Sequence, residues 1–124
     1  MRCPCRKKSE STTYDDCCMP YHAGTCAAAT AEALMRSRYT AFAIEEAAYL
    51  IATWHPTTRP ARIDFAPGQE WMLLRVQAAH EEGDRATVAF VARSRRSGRV
   101  DELHETSRFV REHGLWFYVG GVTA

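Results

Sequence analysis

Apolar residues recur at three- and four-residue spacing through Ala31, Leu34, Met35, Tyr39 and Phe42. That period predicts an amphipathic helix. Thr30 stands where an N-cap belongs, and Glu32 sits favourably in the first turn. A second stripe follows in Ala47, Leu50, Ile51 and Trp54, after the pattern drifts near Ala43–Glu46. We therefore expect two helices with a bend or short break between them. Pro56 is expected to end the second, because the residue before a proline is pushed out of the α region. The stretch "PTTRPARIDFAPGQ" (56–69) carries three prolines and a glycine and reads as a loop, with room for one helical turn.

From Glu70 onward the period shortens to that of strands. Four segments, beginning "EWMLLRVQ", "RATVAFVAR", "VDELHETSRF" and "LWFYVGG", are separated by the turn signals "EEGD", "SGR" and "HG". His113-Gly114 suits a primed hairpin turn, since His tolerates positive φ. Helices first and strands afterwards predict an α+β fold, with helices packed on one face of a curved four-stranded antiparallel sheet around a cone-like interior. On the third strand, Leu103, Glu105, Ser107 and Phe109 form the set expected to face inward. The second and fourth strands are apolar on both faces, which predicts a cover over the outer face as well. A second copy of the chain, making a homodimer, and the N-terminal segment are the two candidates.

Residues 1–26 differ in kind. They are polar, poor in large aliphatics, and hold all five cysteines of the 124-residue chain. The boundary falls where the helical pattern starts, giving a short Cys-rich segment (1–26) and an α+β domain (27–124). The spacing is Cys3-x-Cys5, eleven residues, then Cys17-Cys18. Four thiolates in a tetrahedron are the usual structural zinc site. A C-x-C pair can chelate from neighbouring positions, and residues 6–16 can fold back to deliver the second pair. His22 or Cys26 would serve as fourth ligand if Cys17 and Cys18 cannot both reach. Arg6, Lys7 and Lys8 lie beside the ligands and would offset the charge of a tetrathiolate. Idle thiols, disulfides and a redox pair are the competing readings. Nothing helix-forming follows Cys5 to activate a redox pair. Clustered cysteines in a reducing compartment are metal ligands more often than disulfides.

Net charge is +1, which argues against a general nucleic-acid or membrane binder. No apolar run reaches the ~20 residues a bilayer span requires, and no hydrophobic stretch follows Arg2 as in a secretory signal. A cytoplasmic protein is expected.

Cys3-Pro4-Cys5, Tyr14, Cys17-Cys18, Pro20-Tyr21 and Gly24 together resemble the SEC-C motif, named for the zinc-binding tail of the preprotein translocase motor SecA. "ALMRSRYTAF" (33–42), "TWHP" (53–56), "FVAR" (90–93) and "ETSRFVREHGLWFYVGG" (105–121) are similar to the YchJ-like family of bacterial proteins. The resemblance implies a SEC-C zinc motif followed by a domain like nuclear transport factor two, with zinc on Cys3, Cys5, Cys17 and Cys18. It also implies docking of a protein partner through the motif. The family pattern C-P-C-G-S-G is broken here, where Arg6-Lys7-Lys8 replaces the glycine turn, and the spacer before Cys17 is about three residues longer.

Related cone folds host small enzymes, which makes the interior worth inspecting, although fold analogy alone says little about function. Glu105 faces inward, with Arg38 on the long helix and His55 at the end of the second. These residues compose either a general-base site for an isomerase- or hydrolase-type enzyme or a structural ion pair. His80, His104 and His113 read as surface or turn residues, and the arginines of "RSRRSGR" (93–99) as a solvated turn. The favoured reading is a zinc-binding protein-interaction or ligand-binding module, with the cavity enzyme as the alternative.

Overall fold

A computed structural model describes residues 1–6 and 10–123. A short helix α1 (Met19–His22) precedes α2 (Ala31–Ile44) and α3 (Ala47–Ala52), then β1 (Glu70–Glu82), β2 (Arg85–Arg96), β3 (Arg99–Glu112) and β4 (Leu115–Thr123). The strands form one antiparallel sheet in the order β1-β2-β3-β4; α2 packs on one face of it, and α1 and α3 pack against α2. This is the α+β arrangement expected from the pattern.

Local chemistry explains the boundaries. Thr30 caps α2, its hydroxyl accepting from Ala33 N at 3.0 Å. Glu81 of β1 accepts from Ala31 N at 3.0 Å, which places a carboxylate at the positive end of the helix and ties it to the sheet. The break falls where the pattern drifts: Glu45 is left-handed at φ 61°, and Glu46 N–H returns to Ala41 O. His113 and Gly114 both have positive φ, as a primed hairpin turn requires, and so do Ser97 and Gly98.

Two expectations are corrected. Helix α3 ends at Ala52, before Pro56, because Thr53–His55 peels away to pair with the edge of β4. Tyr118 N–H donates to Thr53 O, and His55 N–H donates to Tyr118 O. Those bonds cover part of an otherwise open sheet edge. The N-terminal segment lies on α2, not on the outer face of the sheet. On that outer face Val91 is only 3% exposed, between its cross-strand neighbours Arg75 and His104.

The core lies between α2 and the sheet. Leu34, Met35 and Tyr39 meet Leu74, Val88, Phe90, Phe109 and Trp116. Extra residues at Met72, Gln77 and Val119 bulge β1 and β4, which bends the sheet around the helices. Residues 37–41 of α2 are buried all round, because the cysteine segment covers the side facing away from the sheet.

Candidate metal centre and interior cavity

The first six residues reverse direction without glycine. Pro4 occupies the second position of a turn that Arg6 N–H closes onto Cys3 O at 3.0 Å. Cys3 N–H then pairs with Thr12 O, and Tyr14 N–H with Met1 O, so the segment folds back on itself. Cys17 N–H and Met19 N–H both return to Tyr14 O, and α1 starts at Met19 with Pro20 in its first turn. These short reversals bring the two cysteine pairs together.

The four sulfurs of Cys3, Cys5, Cys17 and Cys18 lie within 4.8 Å of one another. Cys5 Sγ is 3.7 Å from Cys3 Sγ, 3.6 Å from Cys17 Sγ and 3.7 Å from Cys18 Sγ, and Cys17 and Cys18 are 3.9 Å apart. A tetrahedron with bonds of ~2.3 Å has edges of about 3.8 Å, so these separations fit a four-thiolate zinc site. They are far too long for disulfides, and all five cysteines are free. The vicinal pair Cys17-Cys18 contributes both its sulfurs.

His22 and Cys26 stand outside the cluster. His22 Nδ1 bonds Tyr14 Oη at 2.9 Å and its Nε2 donates to Ser37 O at 2.8 Å, so both ring nitrogens are engaged. The ring also packs 4.6 Å from that of Tyr49. His22 therefore fastens the segment to the long helix. Cys26 is exposed.

The cluster sits directly on α2. Cys3 Sγ is 3.6 Å from Thr40 Oγ1, Arg36 Nη1 donates to Cys5 O at 3.0 Å, and Cys18 Sγ is 3.9 Å from Arg36 O. Small polar side chains at Ser37 and Thr40, both fully buried, let the segment approach closely. Cys3, Cys5 and Cys18 are themselves buried. A closed, four-sulfur, buried centre has the character of a structural metal site, since a catalytic zinc keeps a position open.

Electrostatics point the same way. Sulfur hydrogen bonds from Cys18 and Cys5 hold Cys3 far below the ordinary thiol range. Hydrogen bonding to Cys3 and Cys5, with burial, pushes Cys18 far up. For Cys5 the hydrogen bond with Cys18 pulls down, but that with Cys3 and burial outweigh it, leaving it raised to about 12. Without a cation, then, the coupled thiols resist ionising together: Cys3 is driven toward the thiolate while Cys5 and Cys18 are driven toward the protonated form. A divalent ion is what allows all four sulfurs to ionise together. Arg6 Nε donates to Cys17 Sγ at 3.3 Å, a bond that raises the arginine above its usual range. Lys7 and Lys8, expected to share this task, lie outside the described residues.

Between α2 and the sheet lies a cavity of about 230 Å³, walled by aromatic rings that include Trp54, Trp71, Phe90, Phe109 and Tyr118. Arg38 and Glu105 both line it, but they form no ion pair. Arg38 Nη1 instead donates to Leu50 O at 2.9 Å and Thr53 Oγ1 at 2.6 Å, and the guanidinium lies beside both Trp54 and Tyr118, whose rings meet each other edge-on. Burial lowers its pKa to about 10, so it stays a cation. Glu105 Oε2 accepts from Ser107 Oγ at 2.6 Å. His55 is absent from the lining. It bonds Glu112 Oε2 at 3.0 Å and meets the ring of Phe117 edge-on, so the expected Glu105–Arg38–His55 grouping is not assembled. His80, His104 and His113 are exposed. Arg93 pairs with Glu102 and Arg95 with Glu70, which neutralises half of the "RSRRSGR" charge within the sheet.

Comparison with known proteins agrees with this geometry. Residues 30–121 match the family model described as the YchJ middle domain, like nuclear transport factor two. A UPF0225 protein of Polaromonas naphthalenivorans is 48% identical over 96% of this chain and 95% of its own. One from Streptomyces coelicolor is 49% identical over 96% and 93%. Among solved structures, a SEC-C motif protein from Rhodopseudomonas palustris superposes with a TM-score of 0.84 at 38% identity, covering 94% of this chain and 95% of that one. A second, from Psychrobacter arcticus, gives 0.81 at 29% identity, covering 98% and 82%. With its cysteine cluster ahead of the cone domain, the chain belongs to the YchJ-like family of SEC-C motif proteins.

Proposed function

We propose that this protein is a zinc-stapled binding module. Zinc on Cys3, Cys5, Cys17 and Cys18 locks the N-terminal segment onto the outward side of α2, and the cone interior holds a small ligand. The observation that carries the reading is the sulfur geometry: edges of 3.6–3.9 Å, with three of the four residues at most 1% exposed. When bound, the metal supplies fixed coordination and charge neutralisation, not an open site for chemistry. The chain's own groups supply the rest. Arg36 and His22 anchor the segment to α2 through backbone carbonyls, and Arg6 adds positive charge beside Cys17.

Four reduced thiols suit a reducing compartment, so the proposed location is the bacterial cytoplasm. No helix among the described residues is long and apolar enough to cross a membrane.

The test is metal analysis of full-length protein produced with ample zinc, beside a Cys17→Ser variant. About one zinc per wild-type chain and a marked loss in the variant are expected. Wild-type protein carrying no stoichiometric metal would refute the reading.

A further inference from the structure

The metal centre leaves unused the most unusual charged group in the molecule. Arg38 is only 5% exposed, yet it faces no carboxylate at ion-pair distance among the described residues. A guanidinium carries five N–H donors in a planar fork. Here Nη1 alone is engaged, while Nε and Nη2 have no hydrogen-bond partner among the described residues. Anchoring the end of α3 would need no more than that one nitrogen. Neither Nε nor Nη2 is sealed away without a partner, so both stay accessible to a polar group entering the cavity that Arg38 lines.

Across the same cavity lies Glu105. Its Oε2 is held by Ser107, and its carboxyl group rests against Gly121 of β4, where a Cβ would collide with it. The Tyr118 hydroxyl also bonds this carboxylate, and with only Ser107 and Tyr118 as donors among the described residues a carboxylate keeps acceptor capacity for a ligand. The interior thus offers a hydrogen-bond donor fork and an acceptor, opposite in charge, lining one cavity, with aromatic rings forming the remaining walls.

We propose that the cavity binds a small, uncharged aromatic molecule bearing an amide-type group, whose carbonyl accepts from Arg38 and whose N–H donates to Glu105. A carboxylate ligand would satisfy Arg38 but confront Glu105, and an amidinium would do the reverse. An amide edge presents one acceptor and one donor and matches both. The rings of Trp54 and Tyr118, already stacked on Arg38 at 5.1 and 4.4 Å, continue the apolar wall for an aromatic body. The volume limits the ligand to on the order of ten non-hydrogen atoms, given the ~30 Å³ that one water takes in the liquid. This inference rests on the binding-module reading and names the ligand class within it.

Four probes of equal size separate the possibilities: benzamide, benzoate, benzamidine and acetophenone. Each is titrated into isotope-labelled, zinc-loaded full-length protein and followed by NMR at the Arg38 Nε–H and the indole of Trp54. Benzamide should give saturable shifts with a Kd of about 1 mM, typical of so small a ligand. Benzoate and benzamidine should bind about tenfold more weakly, and acetophenone, lacking the donor, should fall between. In Glu105→Gln, benzoate should gain about tenfold, because the opposing charge is gone. Benzoate or benzamidine binding the wild type as well as benzamide would overturn the amide class while leaving a ligand-binding cone. The absence of saturable shifts at either reporter with any probe would overturn both.

Discussion

Between Met1 and Cys26 the hydrophobic residues that reach full burial among those described are three cysteines, whereas the sheet buries Val88, Phe90, Ala92, Phe109 and Trp116. The sheet is held by strand pairing and by apolar packing against α2, contacts distant in sequence that reinforce one another. The N-terminal segment has a few backbone bonds, such as Cys3 N–H to Thr12 O at 2.9 Å, and side chains that meet at one point. A stretch of this length cannot close a core of its own, and in the proposed reading a metal takes the place of one. The two regions share a single helix. Its sheet side uses Met35 and Tyr39, and its opposite side uses Ser37 and Thr40.

The contrast predicts that each region can be damaged with a different effect. Cys5→Ser should have the largest, removing the sulfur that stands 3.6–3.7 Å from all three others. Zinc content should collapse while the far-ultraviolet signature of the sheet persists. Metal affinity in the intact protein should also rise with pH. Burial and sulfur hydrogen bonding favour the protonated forms of Cys5 and Cys18, so loading releases protons, and affinity should climb by at least about a hundredfold per pH unit below neutrality. Competition titrations with a chromogenic chelator at pH 6 and pH 7 measure this. Phe109→Ala does the opposite kind of damage. It should lower global stability by about 3–5 kcal/mol in denaturant unfolding, yet the folded fraction should still bind zinc.

Smaller changes sharpen the picture. His22→Ala removes the bonds to Tyr14 Oη and Ser37 O and should loosen the segment by about 1–3 kcal/mol. Faster hydrogen exchange in residues 1–26, at unchanged zinc stoichiometry, would be its signature. Tyr39→Phe has the least effect and the opposite sign. Its buried hydroxyl has at most a marginal contact with the Leu73 backbone, so its loss should leave stability unchanged or raise it by up to about 1 kcal/mol in thermal unfolding.

Features that depend on neighbours in sequence were legible from the chain. Thr30 as a cap, the break at Glu45, the turn at His113-Gly114 and the inward set Leu103, Glu105, Ser107 and Phe109 all follow from period and turn chemistry. Features set by distant contacts were not. The pairing of Thr53–His55 with β4 carried His55 away from the cavity, and no local signal marks it. Arg38 was expected to seek Glu105, but the nearer carbonyl of Leu50 and two aromatic faces hold it instead. Pro4 makes the turn from Cys3 to Arg6, while the rest of the Arg6-Lys7-Lys8 stretch that replaces the family's glycines lies outside the described residues. The docking of the cysteine segment on α2 did leave a trace: Ser37 and Thr40 interrupt a helix whose other buried positions are larger or apolar. Small polar residues on the supposed solvent side of a buried helix mark a close neighbour.

The central claim is that a metal, and not packing alone, orders residues 1–26 on α2. Hydrogen exchange on the zinc-loaded protein, before and after chelation, tests it most directly. The account predicts that the amides of Cys3, Tyr14 and Met19 lose protection on chelation, while those of β2 and β3 change little. Undiminished protection at Cys3, Tyr14 and Met19 after complete metal removal would contradict it.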